Sequence, residues 1–158
     1  MPDGIVVANL RAYIGVMQTP RPYSRVLDLL RRADLRPTRQ RLALAKLLFD
    51  SGDRHVSAEG LHEQALAANI GVSLATVYNT LHQFVSAGLL REIVVDASRS
   101  YFDTNISDHH HFFFEDSGRV EDIPAHQVVV SALPPPPEGT TVSRIDVIVR
   151  LDATKNTN

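Results

Sequence analysis

A run of three histidines lies between two carboxylates, Asp103 and Asp122, in the second half of the chain. Neutral imidazole and carboxylate groups are natural ligands for iron, zinc, manganese and nickel. In a β-strand, His109 and His111 point to one side and His110 to the other, so the run can serve two separate sites. Both aspartates can approach the side that the outer histidines share. The sequence therefore predicts a metal site made of imidazole and carboxylate ligands.

A further histidine, His55, lies far earlier in the chain, just before a predicted helix. If it joins the same site, ligation fixes the angle between the two halves of the chain, which is a physical basis for a switch. The alternative is a solvated polar loop. His126 is a weaker candidate ligand, which would pair with His110. His62 and His82 lie on predicted helices and are interpreted as surface or half-buried side chains.

The composition limits the chemistry that these 158 residues can support. The absence of cysteine excludes disulfides, thiolate zinc sites, iron–sulfur clusters and cysteine nucleophiles. With 44% hydrophobic and 22% charged residues, the chain is typical of one globular domain or two small ones. It has no apolar run of the ~20 residues that a membrane span needs, and no basic and then apolar leader. We therefore expect a cytoplasmic protein that is not bound to a membrane.

The charges are distributed unevenly along the chain. Residues 1–96 hold 11 Lys and Arg against 9 Asp and Glu, whereas residues 97–158 hold 5 against 9. Residues 21–54 alone hold 9 basic groups against 4 acidic ones. A basic half joined to an acidic, His-rich half indicates two functions, although a chance asymmetry is the alternative.

Apolar periodicity, capping residues and turn residues predict an α+β fold. In the first half, Thr38, Ser57 and Ser73 suit helix N-caps, and Gly88 suits a left-handed helix exit. The predicted helices there span 23–33, 38–50, 58–69 and 74–87, and the predicted hairpin strands span 89–95 and 100–103. In the second half we predict strands over 111–115, 120–123 and 141–151, a short helix within 124–133 and a polyproline spacer over 134–137.

These elements divide the chain into four parts. We predict an N-terminal extension over 1–22, a winged helix-turn-helix over 23–104, a small α/β domain over 105–152 that carries the candidate metal site, and a tail over 153–158.

A helix, a turn, a second helix and a hairpin follow one another in the order of a winged helix-turn-helix, whose second helix can enter the major groove of DNA. Val77, Leu81 and Phe84 form the expected inner face of that helix. The outer face offers small or hydrogen-bonding groups suited to base edges and phosphates. These are Ser73, Ala75, Thr76, Tyr78, Asn79, Thr80 and Gln83. Arg36, Arg39 and Arg41 can neutralise phosphate or enter a minor groove. The alternative is a three-helix bundle with an ordinary polar surface.

Four motifs, in this order, resemble the ferric uptake regulator (Fur) family over about residues 23–125. They are Leu35-Arg36-Pro37-Thr38-Arg39-Gln40-Arg41, His55-Val56-Ser57-Ala58-Glu59-Gly60-Leu61, Leu74-Ala75-Thr76-Val77-Tyr78-Asn79-Thr80-Leu81 and Asp108-His109-His110-His111. The resemblance implies a dimeric winged-helix transcription factor that binds pseudo-palindromic operator DNA through its first domain and dimerises through its second.

The His triplet followed by Phe112-Phe113-Phe114-Glu115, the stretch YNTLHQF, the N-terminal extension and the lack of cysteine resemble the iron response regulator (Irr) branch. This resemblance implies an iron- or haem-responsive regulator of iron-uptake and haem-synthesis genes, and not an enzyme. One alternative is a sensor of Fe(II), Mn(II) or peroxide. More remote alternatives are a metal-dependent hydrolase and a haem or metal carrier.

The resemblance also assigns roles to individual residues. It places the family's interdomain metal site at His55, Asp103, His109, His111 and Asp122. Tyr78 matches a DNA-contacting tyrosine and Arg36 a minor-groove residue, whereas Asn79 stands where many relatives have Arg.

A second metal or haem site would use His110 with Asp108 or His126. Haem, if bound, must use His axial ligands, for which His109 to His111 are the best candidates. Phe114 and Ser117 fall where relatives carry a Cys-x-x-Cys pair, so the structural cysteine-bound zinc is absent and the expected cofactor is haem or a divalent Fe, Mn or Zn ion.

Overall fold

The computed structural model describes residues 22–154, so the predictions for the N-terminal extension and for most of the tail lie outside it. Within this range the chain forms an α+β fold of four helices and two small three-stranded sheets, whose first strand lies between the second and third helices. The helices are α1 (Ser24–Arg32), α2 (Arg39–Phe49), α3 (Ala58–Ala67) and α4 (Leu74–Ser86). The strands are β1 (His55–Val56), β2 (Arg91–Asp96), β3 (Arg99–Asp103), β4 (His109–Phe114), β5 (Val120–Pro124) and β6 (Ile148–Leu151). None of the helices in residues 22–154 has the length and apolar character of a membrane span.

Local hydrogen bonds explain where the helices begin and end. The side chains of Thr38, Ser57 and Ser73 each accept the backbone N–H three residues later, which confirms all three predicted N-caps. Gly88 takes φ +73° at the end of α4, as its position predicts. Asn69 closes α3 with φ +57°, a conformation that Asn tolerates better than most residues.

The helices bury one hydrophobic core together with the first sheet. Leu30, Leu48, Leu81 and Phe84 are fully buried in it, and Phe102 of β3 belongs to the same cluster. The predicted inner face of α4 is therefore confirmed. The prediction for Thr80 is wrong, because its side chain is 5% exposed. Thr80 lies three residues after Val77 and four before Phe84, so it falls on the same buried side of the helix.

The first sheet has the order β1-β3-β2 and is antiparallel throughout. β2 and β3 form the predicted hairpin. The two-residue strand β1 was not predicted, because a strand this short has no periodic pattern to recognise.

The second sheet has the order β5-β4-β6, with β5 antiparallel and β6 parallel to β4. The fully buried ring of Phe113 faces the first sheet and packs with Ile93, Val95 and Val120 in a second core. Since Ile93 and Val95 belong to β2, this core joins the two sheets.

Two predictions for the second half fail in part. The helix expected within 124–133 is only a 3-10 turn over Ala125–Gln127, because the β-branched valines that follow disfavour a helix. The strand expected over 141–151 pairs only at Ile148–Leu151. Between these elements the side chains of Val129, Leu133 and Val142 are exposed and do not pack into either hydrophobic core of the described residues.

Candidate metal centre and nucleic-acid interface

Two cross-strand pairs, one in each sheet, build the candidate metal centre. His55 in β1 is the register partner of Asp103 in β3. His111 in β4 is the partner of Asp122 in β5, and His109 lies two residues earlier on the same side of β4. The two sheets therefore present all five predicted side chains to one point between them.

Asp103 lies at the middle of this group. Its Oδ2 atom is 2.8 Å from Nε2 of His109, 3.2 Å from Nε2 of His111 and 3.4 Å from Nε2 of His55. The backbone N–H of Asn105 donates to the other oxygen, Oδ1, at 2.8 Å. One carboxylate oxygen therefore faces three imidazoles while the backbone holds the other.

Asp122 approaches the same imidazoles from the second sheet. Its Oδ1 atom lies 2.8 Å from Nε2 of His55 and 3.4 Å from Nε2 of His109. Across the whole group, one ligand atom from each residue lies within 4.8 Å of every other. The group thus offers three nitrogen and two oxygen donors, a set that suits divalent iron, manganese or zinc.

Burial and charge change the pKa values of this group. Burial lowers the pKa of His55, but the nearby carboxylates of Asp103 and Asp122 outweigh burial, so the pKa is raised above 6.5. Burial raises the pKa of Asp103, but the contacts with His111 and His55 and the hydrogen bond from the backbone of Asn105 bring it well below its usual range. The centre therefore keeps Asp103 ionised and attracts a cation, either a proton or a metal ion.

Two observations show that these residues fit a metal ion. His55 Nε2 is buried and has no hydrogen bond of acceptable geometry, although it lies close to both carboxylates. Nδ1 of His109 lies 2.8 Å from the carbonyl oxygen of Ser107 and 3.1 Å from Nη1 of Arg91, so it donates to Ser107 in one tautomer and accepts from Arg91 in the other. In the first tautomer Nε2 aims a lone pair at Asp103, an arrangement that is repulsive without a cation between them, whereas in the second Nε2 donates to Asp103.

The predicted second site does not assemble in the same way. His110 points away from the first site, as strand alternation predicts, and its Nδ1 accepts the backbone N–H of Val147 at 3.3 Å. Asp108 and His126 are exposed. Within residues 22–154, the structure brings three or more potential metal ligands together only at the first site.

Arg91 lies beside the centre and was not singled out from the sequence. It is the register partner of Asp103 on the side opposite His55, and its side chain is 6% exposed. The guanidinium donates to the carbonyl oxygen of Ser107 and, at 2.7 Å, to Asp146. Arg91 thus connects the first sheet to the backbone next to His109 and to the chain entering β6.

Only some of the side chains predicted to contact nucleic acid are exposed and without contacts to other side chains of the described residues. The N-cap residue Ser73 is exposed, as are Ala75, Asn79 and Gln83 on α4, whereas Thr76 and Tyr78 are half-buried. The hydroxyl of Tyr78 donates to Glu59 at 2.7 Å, and this bond lowers the pKa of Glu59. Sequence reasoning missed Glu59 because its partner lies on a different helix.

The three arginines differ in their contacts. Arg36 and Arg39 are exposed. Arg41 donates to Gln83 of α4 at 2.7 Å and to the carbonyl oxygen of Arg36 at 2.7 Å. Arg41 is therefore held against α4, where it ties the two helices together.

Four helices, a wing-like hairpin and a second sheet define a winged-helix fold, with a His/Asp group between the sheets that could hold a metal ion. The sequence model of the ferric uptake regulator family matches residues 32–133, and the chain belongs to that family.

Individual relatives share this assignment. The chain is 37% identical to the ferric uptake regulation protein of Bordetella parapertussis over 81 residues, which cover 51% of this chain and 58% of the relative. It is 36% identical to the peroxide-responsive repressor PerR of Staphylococcus aureus over 94 residues, which cover 59% and 62%. The chain thus spans about three fifths of the length of these curated relatives.

Solved structures show the same fold. The ferric uptake regulator of Pseudomonas aeruginosa with manganese matches with a TM-score of 0.63 and 26% identity, covering 82% of this chain and 98% of that one. The regulator of Vibrio cholerae matches with the same TM-score at 22% identity, covering 80% and 98%. The α+β fold class predicted from the sequence is therefore confirmed.

Proposed function

We propose that this protein is a metal-responsive transcriptional regulator that binds operator DNA, and that the His/Asp centre between its sheets is the sensor. The convergence of His55 with ligands from β4 and β5 carries this proposal. The family membership and the names of the relatives, a ferric uptake regulation protein and a peroxide-responsive repressor, support it. These relatives are regulators, which favours regulation over hydrolysis or metal transport.

The five ligands span the boundary between the winged helix and the second domain. A bound divalent ion supplies the positive charge that the facing imidazoles and carboxylates require. His55 and Asp103 come from the first sheet, whereas His109, His111 and Asp122 come from the second. Ligation by both sets fixes the two sheets relative to each other and therefore sets the orientation of α4.

DNA recognition is assigned to α4 and to the basic residues before it. We infer that the exposed Ser73, Ala75 and Asn79, together with Thr76 and Tyr78, face the major groove, and that Arg36 and Arg39 contact phosphate or the minor groove. Arg41 acts indirectly, because Gln83 and Arg36 already occupy its guanidinium.

A homodimer completes the proposal. Two copies would place their recognition helices in successive major grooves about 34 Å apart. The exposed Val129, Leu133 and Val142 support this, since in a dimer a second copy would bury them.

The signal that we propose is a divalent Fe, Mn or Zn ion. Haem is the less favoured signal, because the side chains of His109 and His111 are only 4% and 3% exposed and face three other ligands. A porphyrin needs open space beside its axial imidazole. The narrower assignment to the iron response regulator branch, with its control of iron-uptake and haem-synthesis genes, rests on the sequence around the His triplet. In that branch the iron-poor form binds DNA.

A gel-shift titration with DNA from the upstream region of the protein's own gene tests the proposal. We expect specific binding that changes when Mn²⁺, Zn²⁺ or anaerobic Fe²⁺ is added. The direction of the change separates the branches, since loss of binding on metal addition fits the iron response regulator. Specific binding that is unaffected by every metal contradicts a metal sensor. A haem-induced Soret band that is lost in the His109/His110/His111→Ala variant would favour haem.

A further inference from the structure

The loop between the two sheets, residues 104–108, contacts several of the five candidate ligands through hydrogen bonds. Asn105 contacts both carboxylates of the centre. Its backbone N–H donates to Oδ1 of Asp103 at 2.8 Å, and its side-chain Nδ2 donates to Oδ2 of Asp122 at 3.2 Å. In each aspartate this is the oxygen that does not make the shortest contact with the imidazoles. Asn105 therefore holds the second oxygen of each carboxylate and leaves the oxygen that faces the imidazoles free to bind a metal ion.

The orientation of the Asn105 amide is itself fixed. Its Oδ1 accepts the backbone N–H of Ser107 at 3.0 Å and the hydroxyl of Ser107 at 2.6 Å. Two donors on this side require the oxygen there, so the NH₂ group must face Asp122. The carbonyl of Ser107 in turn lies 2.8 Å from Nδ1 of His109. One short loop thus contacts three of the five ligands.

Asp122 is the ligand most in need of such support. Its side chain is 36% exposed, whereas those of Asp103, His109 and His111 are at most 4% exposed. A carboxylate at the surface can rotate into water unless a neighbour holds it. Asp122 is also a ligand from the second sheet, so its position decides whether that sheet completes the centre.

We propose that Asn105 is a positioning residue that holds Asp122 against the ligands of the first sheet and thereby sets the metal affinity of the centre. The proposal rests on the metal-sensing function proposed above. Outer hydrogen-bond partners of metal ligands typically change metal affinity by 10–100-fold. The backbone bond to Asp103 does not depend on the side chain, so a substitution at position 105 acts chiefly on Asp122.

A double-mutant cycle with Co²⁺ as the probe tests this role in the full-length chain. The proteins are the wild type, Asn105→Ala, Asp122→Ala and the double variant. We expect Asn105→Ala to weaken Co²⁺ binding by about 10–100-fold and to shift the visible spectrum towards that of Asp122→Ala. In the Asp122→Ala background the same change should have little further effect, because its target is gone. The spectrum reports the ligands directly and does not respond to a loss of fold stability alone.

Asn105→Asp provides a second variant of equal size. It keeps an acceptor for Ser107 but turns a negatively charged oxygen towards Asp122, so it too should alter the spectrum. Co²⁺ binding by Asn105→Ala that equals wild-type binding overturns the positioning role alone. An equally large loss in the Asp122→Ala background also overturns it, because the effect would then not pass through Asp122. A wild-type protein that takes up no Co²⁺ at the five ligands overturns the metal-sensing function as well.

Discussion

Asp103 lies in the central strand of the first sheet and directs one oxygen at three imidazoles. Its buried charge is stabilised by hydrogen bonds that hold its pKa well below the usual range. Asp103→Asn keeps the shape but removes the charge that a cation requires. We expect the affinity for Mn²⁺ to fall by about 100-fold, measured by calorimetric titration, since changes to outer partners alone cost 10–100-fold.

A matched control for this substitution is Asp116→Asn, in the exposed turn between β4 and β5. It removes the same charge outside the centre and should leave the Mn²⁺ affinity unchanged. Equal affinities for wild type and Asp103→Asn would remove Asp103 from the ligand set.

Protons and metal ions compete for the same centre. The pKa of His55 is raised above 6.5 without metal, so protonation of His55 stabilises the metal-free fold below about pH 6.5, and this contribution is lost as pH rises through the raised pKa. A metal ion requires the neutral ring, so the stabilisation that the metal provides increases as the pH rises. Asp103 stays ionised over this range because its pKa is lowered.

We therefore expect the increase in Tm caused by Mn²⁺ to grow from about pH 6 to about pH 8, as measured by thermal unfolding. His55→Gln, which keeps a polar side chain but cannot titrate, should show a smaller increase with a weaker pH dependence. A Tm increase that declines as the pH rises would contradict the competition.

At the scale of elements, strand geometry explains which parts of the centre could be predicted. The alternation of a strand correctly separates His110 from His109 and His111, and the hairpin after the triplet brings Asp122 across from His111. The pairing of His55 with Asp103 had no local signal, because β1 has only two residues. Only the resemblance to a family placed His55 in the site. Asn105 and Arg91 were missed because their roles depend on contacts between elements.

Arg91 links the two sheets through charge-assisted hydrogen bonds. Arg91→Met keeps the apolar stem but removes the guanidinium. We expect unfolding in urea to show a loss of about 1.5–3 kcal/mol, the usual contribution of hydrogen bonds to charged groups. Arg31→Met on α1 is the control, because Arg31 pairs only at the surface and should change stability by less than about 0.5 kcal/mol. Similar stability of Arg91→Met and wild type would exclude this link.

Tyr78 on α4 tests the DNA interface separately from the metal centre. Its hydroxyl donates to Glu59 and is available to a phosphate if that bond opens. Tyr78→Phe should reduce operator affinity by about 5–10-fold in fluorescence anisotropy, because it removes about one hydrogen bond to the DNA. It should leave the Mn²⁺ affinity unaltered. Tyr101→Phe, which packs beside Phe113, should affect neither. Unchanged DNA binding by Tyr78→Phe would argue against its assignment to the interface.

At the scale of the whole molecule, the first half could be predicted from the sequence more fully than the second. Helices α2 to α4 carry their own N-caps, and all four helices bury their apolar faces in one core, so their local signals agree with the tertiary structure. The chain from Val128 to Val147 has apolar residues but few partners within one copy. Its strand and helix patterns therefore form only in part, as expected for a surface that a second copy would cover.

The halves of the molecule are held together by the second core, by Arg91 and by the His/Asp centre. The second core around Phe113 is apolar, and Arg99 and Arg150 lie near the Phe113 ring, 4.8 and 5.8 Å from its centre. Of these connections, the His/Asp centre is the one that a metal ion would control under the proposed function. Under the proposed function, metal occupancy and the orientation of α4 are therefore coupled in one equilibrium.

Operator binding measured with and without Mn²⁺, for wild type and Asp103→Asn together, tests this coupling most directly. We predict that Mn²⁺ changes the operator affinity of the wild type by at least about tenfold, within the usual range of allosteric coupling. At Mn²⁺ concentrations just sufficient to saturate the wild type, Asp103→Asn should bind the operator with the same affinity as it does without Mn²⁺. An operator affinity that Mn²⁺ leaves unchanged in the wild type, or changes equally in both proteins, would contradict the account.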